Sequence, residues 1–175
     1  MRLCKDDIVL RSFEERDIEN KVRWINNPEN NQYLHYQIPL EVEKTRNWFL
    51  HKKNETRLDL VIEYQGIPVG LIGLLAIDPD NQKAEFYISM GETAYKRKGI
   101  STRAIQILLE YAFVDLRLNK VYLNVDADNE AACGLYEKTG FLCEGTFVED
   151  MYHRGKLIDR KRYAILRKAY LEFSY

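Results

Sequence analysis

The sequence predicts an α+β fold, a central mixed sheet of about seven strands flanked by about four helices, in the order βααβββαβαββ. Three observations lead there. Apolar residues recur at helical spacing early in the chain, then switch to a period of two at Leu58, Leu60, Ile62 and Tyr64. Strong turn signals, Gln65-Gly66 and Asp78-Pro79-Asp80-Asn81, punctuate the period-two region. A broadly apolar helix then separates two strand patterns, and a helical crossover makes that pair parallel.

The first strand is read at Ile8 to Phe13. Arg16-Asp17 starts a helix in which Ile18, Val22 and Ile25 fall at i, i+4 and i+7. Asn26-Asn27-Pro28 ends it, because a residue before proline disfavours the helical region. Pro39 opens a second helix, with Val42, Trp48 and Phe49 as its buried side chains. After the strand from Leu58, Ile67-Pro68-Val69-Gly70-Leu71 begins the return strand. From Ala84 to Met90 the alternation is strict, with Ala84, Phe86, Ile88 and Met90 on one face and Glu85, Tyr87 and Ser89 on the other. The helix after Gly99 carries Ile100, Ala104, Ile107, Leu108 and Tyr111 as one stripe with Ile105, Leu109 and Ala112 beside it, a face wide enough to pack deeply on a sheet. Val121, Leu123 and Val125 mark a strand, Asn129 to Gly140 a helix, and Phe141–Tyr152 and Leu157–Leu166 two closing strands joined at Arg154-Gly155.

Bulk properties narrow the class. The 175 residues are 46% apolar and 30% charged, normal for a globular domain, and residues 1–175 show no linker or internal repeat that would divide them. A net charge of −1 gives no reason to expect nucleic acid or membrane. Met1 to Asp7 is polar, unlike a signal peptide, and no window approaches the roughly 20 apolar residues of a membrane helix. Cys4, Cys133 and Cys143 lack metal-ligand spacing, so no metal is expected and a reduced cytoplasmic setting is.

Two segments carry chemistry. Lys96-Arg97-Lys98-Gly99 lies between a strand and the start of the apolar helix. Free N–H groups and the dipole at such a start favour an anion, and glycine lets a phosphate approach the backbone. A basic triplet by itself reads as solvated surface; this placement turns it toward an anion site. In the second segment, Asn129 is placed as an N-cap, and Tyr136 lies seven residues on, two turns away on the same side. A helix tyrosine and a strand glutamate such as Glu85 are each ordinary by themselves.

Together these elements resemble the GNAT superfamily of acetyl-CoA-dependent N-acetyltransferases. That family's phosphate loop reads Gln/Arg-x-x-Gly-x-Gly/Ala; here it is Lys96-Arg97-Lys98-Gly99-Ile100-Ser101, with lysine and serine at the two departures. The later pattern, Asn-x-x-Ala-x-x-Leu-Tyr-x-Lys-x-Gly-Phe, is met by Asn129, Ala132, Leu135, Tyr136, Lys138, Gly140 and Phe141. The resemblance implies a mostly antiparallel sheet and acetyl-CoA as acetyl donor. It implies that the strand ending at Ile88-Ser89-Met90 and the strand from Val121 splay apart to admit pantetheine, and that the loop and Asn129 belong to the cofactor site. Tyr136 would protonate the leaving thiolate, and backbone N–H groups near Ser89 or Met90 would steady the oxyanion. Glu85 is the candidate base for the incoming ammonium, directly or through water. Cys133 and Cys143 have no activating partner in sequence, so direct transfer is expected over an acetyl-cysteine route.

The segment Val22 to Pro28, with Tyr33 to Pro39 after it, resembles the branch holding ribosomal-protein alanine, spermidine and 4-amino-sugar-nucleotide acetyltransferases. Spermidine enzymes carry an acidic pair between the first two helices, where this chain has Tyr33, His35, Tyr36 and Gln37. A small-molecule amine is expected, polyamine or amino-sugar nucleotide. A protein N-terminus, or a module that binds acetyl-CoA without turnover, stands as the alternative. Against a dinucleotide-binding domain stand the missing Gly-x-Gly-x-x-Gly and the lack of an acidic ribose ligand after a second parallel strand. Twelve tyrosines and polar strand edges are compatible with a homodimer.

Overall fold

The computed structural model describes residues 1–173. Their strands are β1 (Arg2–Lys5), β2 (Ile8–Ser12), β3 (Leu58–Tyr64), β4 (Ile67–Asp78), β5 (Lys83–Met90), β6 (Lys120–Asp126), β7 (Leu142–His153) and β8 (Lys156–Leu166). The helices are α1 (Ile18–Asn26), α2 (Pro28–Asn31), α3 (Val42–His51), α4 (Ile100–Glu110), α5 (Glu130–Lys138) and α6 (Arg167–Phe173). The chain divides into two compact units, one of Met1–Leu75 with Tyr87–Leu108 and one of Ala76–Phe86 with Leu109–Tyr175.

In the first unit β1, β2, β3 and β4 form an antiparallel ladder, with Leu10 opposite Ile62 and Leu60 opposite Ile72. These four side chains are fully buried. Helices α1 and α3 supply the residues that cover Val61 and Leu71, namely Ile18 and Trp24, with Val22, Val42, Trp48 and Phe49 packed alongside. Each such apolar side chain contributes roughly 1.5–3 kcal/mol when fully buried. Two glycines permit close approach. A Cβ on Gly73 would stand 2.0 Å from the Leu58 carbonyl and 2.6 Å from the Tyr87 ring, and one on Gly91 would stand 2.1 Å from the Trp24 indole.

In the second unit β6 pairs with β8 and β8 with β7, both antiparallel. β5 pairs parallel with β6 only at Lys83–Lys120, Ala84–Val121 and Glu85–Tyr122. The ladder ends there, although β5 continues to Met90 and β6 to Asp126. The fold is therefore mixed and mostly antiparallel, as the sequence predicts.

The differences from expectation are local. An eighth strand, β1, pairs Cys4 with Val9; its residues are mostly exposed, so no alternation betrays it. Six helices replace the expected four because Asn27 caps a single further turn at Pro28 and a short helix follows β8. The second helix begins at Val42 rather than Pro39. The Asn26 side chain accepts from Leu40 N and donates to Leu40 O, which holds the chain extended up to Glu41. Past Glu110 the helix widens through Tyr111–Asp115, where Ala112 and Phe113 continue the buried stripe.

Candidate active site

Tyr136 stands on α5 because both ends of that short helix are tied. The Asn129 carboxamide accepts from Ala132 N at 3.2 Å, and the chain leaves through Gly140 at φ +94 with Phe141 N donating to Tyr136 O at 3.0 Å. The Tyr136 ring is 8% exposed and lies among Phe86, Phe141 and Tyr163, with ring centroids 5.9–6.2 Å apart. Its hydroxyl has no hydrogen-bond partner among the described residues. Burial, then the neighbouring Cys133, raises its pKa above the usual phenol value, so the proton stays on at neutral pH.

Glu85 precedes Phe86 on β5 and therefore leaves the strand on the face opposite the Tyr136 ring. There it accepts from Asn124 Nδ2 at 3.3 Å, and Arg162 Nε donates to Asn124 Oδ1 at 3.1 Å. Arg162 also lies 4.7 Å from the Tyr122 ring centroid. Glu85 and Tyr136 thus share a unit but not a face. Asn124 and Arg162 escape sequence reasoning because their link to Glu85 exists only through the β6–β8 register, which pairs them directly.

The basic loop belongs to the first unit. Its conformation is set by Arg97 at φ +62 and Gly99 at φ +72, and nothing lies within 4 Å of where a Gly99 Cβ would be. That leaves room at the start of α4, whose first turn is closed by Arg103 N donating to Gly99 O. Lys98 is exposed with its ammonium 5.0 Å from the Tyr95 ring, and Arg97 is exposed. Lys96 is engaged otherwise: its ammonium donates to Asn30 Oδ1 at 2.6 Å and to the Glu29 carbonyl at 3.2 Å, which ties the loop to α2. Ile100 is buried, while Ser101 and the strand residues Ile88, Ser89 and Met90 are half-buried. The turn after Met90 is fixed to β4, since Gly91 N and Glu92 N both donate to Val69 O. Glu92 in turn accepts from Trp24 Nε1 at 2.8 Å and from Arg23, which holds its pKa below the usual carboxylate value.

A cavity of about 310 Å³ lies in the same unit, lined by Lys21, Tyr36, Leu40, Lys44, Trp48 and Arg57 among others. Of the residues expected to meet an acceptor, only Tyr36 reaches it. Lys21 went unremarked in the sequence, yet a signal was present: it falls between Ile18 and Ile25 on the buried stripe of α1. Its ammonium lies 3.5 Å from the Trp48 ring centroid. Burial, opposed by Asp59, pushes it down to about 8. Asp59 beneath accepts from Arg57 at 2.8 Å, Lys52 at 3.0 Å and the Tyr87 hydroxyl at 2.7 Å. Among the described residues no cluster of three or more His, Cys, Asp or Glu side chains is placed to hold a metal, and no helix is long and apolar enough to cross a membrane.

Comparison with known proteins places this geometry in context. The profile of the Acetyltransferase (GNAT) domain matches residues 7–142. The chain is 31% identical over 167 residues to spermidine N(1)-acetyltransferase of Escherichia coli K12, covering 94% of this chain and 88% of that one. The structure of spermidine N-acetyltransferase from Vibrio cholerae in complex with CoA and spermine superposes with a TM-score of 0.87 at 30% identity, over 95% of this chain and 99% of that one. A dodecameric structure of the Vibrio cholerae enzyme has a TM-score of 0.82 at 29% identity, over 98% of this chain and all of that one.

Proposed function

The chain belongs to the GNAT acetyltransferase family, and from that membership we propose that residues 1–175 act as one domain, with Tyr136 as the acid of a direct acetyl transfer to a small-molecule primary amine. The enzyme is an acetyl-CoA-dependent N-acetyltransferase. Acetyl-CoA supplies an acyl group activated by a thiol leaving group. The observation that carries the reading is Tyr136: its ring is packed among Phe86, Phe141 and Tyr163, its proton is held on, and its hydroxyl has no partner among the described residues. A hydroxyl that no protein group claims is free to donate to a leaving thiolate.

The remaining assignments follow the chemistry of each position. The unpaired N–H groups at Ile100 and Ser101, with Gly99 open above them, favour a pyrophosphate, and exposed Arg97 and Lys98 add charge there. Lys96 serves by anchoring the loop. The edge of β5 from Ile88 through Ser89 to Met90, beyond its ladder with β6, offers backbone groups to an extended chain such as pantetheine. Asn129 caps α5 and so sets the position of Tyr136, with its amide nitrogen available to a ligand. Glu85 takes the amine proton through water, since it stands on the face away from the tyrosine ring. Glu85→Gln is expected to lower kcat/KM by about 10²-fold near neutral pH and by less at pH 9.5, where more amine is already neutral. An unchanged rate and pH profile would remove Glu85 from the mechanism.

A polyamine of the spermidine type is the acceptor that the relatives favour. An amino-sugar nucleotide is the second reading, favoured by the cations and rings that line the cavity of the first unit. Release of CoA thiol, measured with spermidine, spermine, amino-sugar nucleotides and N-terminal peptides, separates them. Saturation by spermidine at micromolar to low millimolar concentration supports the first reading; turnover confined to another class replaces it.

We further propose a cytoplasmic homo-oligomer. β7 exposes Leu142, Val148 and Tyr152, each more than 70% accessible, and the hairpin presents Phe147 and Leu157 as well. Such a row on a strand pair is what a subunit interface covers. Val148→Asp is expected to shift the mass measured by light scattering toward the protomer; an unchanged mass would move the interface elsewhere.

A further inference from the structure

We propose that the cavity between α1, α3 and the start of β3 binds a small molecule through a compact anionic group, a carboxylate or a phosphate, held by Lys21 and Arg57. The cavity has the volume of a small-ligand site, whose usual range begins near 300 Å³. Its charged lining is entirely cationic: Lys21, Lys44 and Arg57. Lys44 already pairs with Glu41 at 2.6 Å on an exposed surface, whereas Lys21 is 6% exposed. Among the described residues the Lys21 ammonium has only aromatic partners: the rings of Trp48, Phe13 and Tyr36. An ammonium in a cavity lining with no acceptor from the protein favours an anion from outside it. Asp59, the carboxylate whose charge acts on Lys21, is already taken by Arg57, Lys52 and Tyr87. With Lys21, Lys52 and Arg57 positive and Asp59 negative, this group carries a surplus of two positive charges beside the cavity. Leu40, Trp48 and Tyr36 complete the lining and suit an apolar or planar body attached to the anion. A polycation meets repulsion here. The inference rests on the second acceptor reading, which uses the same cavity, but it is tested by binding alone, so its failure leaves acetyl transfer standing.

Phenyl phosphate and benzoate test it, titrated calorimetrically into the full chain with CoA at saturation, so that the loop before α4 is filled and cannot report the phosphate. Benzyl alcohol and spermidine serve as neutral and cationic counterparts. At least one anion is expected to bind saturably, and the stronger of the two identifies the headgroup. Lys21→Met, which keeps the chain length and apolar contacts, is expected to weaken that binding at least tenfold, and Arg57→Gln to weaken it independently. A second readout follows from the groups that face Lys21, namely Asp59, Arg57, Lys52 and Tyr36. Benzoate keeps its charge above neutrality, so its affinity should fall as pH rises from 7 to 9.5 and Lys21 loses its proton, and Lys21→Met should flatten that dependence. Absence of saturable binding of either anion, equal binding by Lys21→Met, or displacement by spermidine would overturn the proposal. CoA thiol release from acetyl-CoA with a panel of amines, measured on the same wild-type and variant proteins, reports separately on the acetyltransferase reading.

Discussion

Tyr136→Phe is expected to lower kcat by about 10²- to 10⁴-fold, the range that a positioned general acid contributes, with little change in KM for acetyl-CoA. The expectation follows from what the substitution leaves in place. Phenylalanine keeps the ring against Phe86, Phe141 and Tyr163, and the lost hydroxyl breaks no hydrogen bond within the described residues. The melting temperature should therefore stay within a few degrees of wild type, a change of about 0.5 kcal/mol or less being typical where no named contact is lost. Because burial raises the tyrosine pKa, wild-type kcat should show no alkaline limb from this group in the ordinary phenol range. Steady-state kinetics of both proteins across pH, with calorimetry for stability, check all three points. Full activity in Tyr136→Phe would leave the leaving thiolate to be protonated by water and would remove the reason for calling this site catalytic.

Asp59→Asn is expected to cost about 3–5 kcal/mol of stability, as breaking a buried ion pair on one side does. At 2–4 °C per kcal/mol for a chain of this size, the melting temperature falls by roughly 10 °C. Asp59 is 6% exposed and accepts from Arg57, Lys52 and Tyr87 together, and Lys52 and Arg57 have no other acceptor among the described contacts. Burial works against its ionised form, but the hydrogen bonds from Arg57 and Tyr87 outweigh it and hold the pKa below the usual value. The sign follows: the folded-state pKa is depressed, so this stability is present above the unfolded-state value near 3.9 and is lost as pH falls through the folded one. Wild type should accordingly keep more of its stability near pH 4 than a chain with an unpaired carboxylate, and the variant should lose that part of the acid dependence. Lys21→Met in the Asp59→Asn background should recover part of the loss, since it removes one of the stranded cations. Denaturant titrations of the two single variants and the double variant measure the coupling. A loss under 1 kcal/mol in Asp59→Asn would show that water already compensates these charges.

Much of this protein is local and therefore legible. The stripe of α4, the alternation of β3 and β5, and the caps of α5 depend on residues within a turn or a pleat of one another. The same holds for the loop from Lys96 to Ser101 and for the motif from Asn129 to Phe141, where short spacing, glycine and an N-cap define backbone shape. What failed to show has a common cause. β1 is an edge strand with little to bury, so its sequence carries no period. The bond from Lys96 to Asn30, 2.6 Å long, is equally invisible in the sequence, because the two residues lie 66 positions apart.

By itself, then, the order of residues determined the class of fold, the glycine-opened start of α4 and the helix that presents Tyr136, because each rests on neighbours along the chain. Only the tertiary structure decided that Glu85 faces away from the tyrosine ring, that Asn124 and Arg162 flank it, and that Lys21 lies buried over Trp48 while Asp59 is taken by other donors. Those facts depend on strand register and helix packing, which join residues tens of positions apart, and burial of charge has no meaning until those contacts exist.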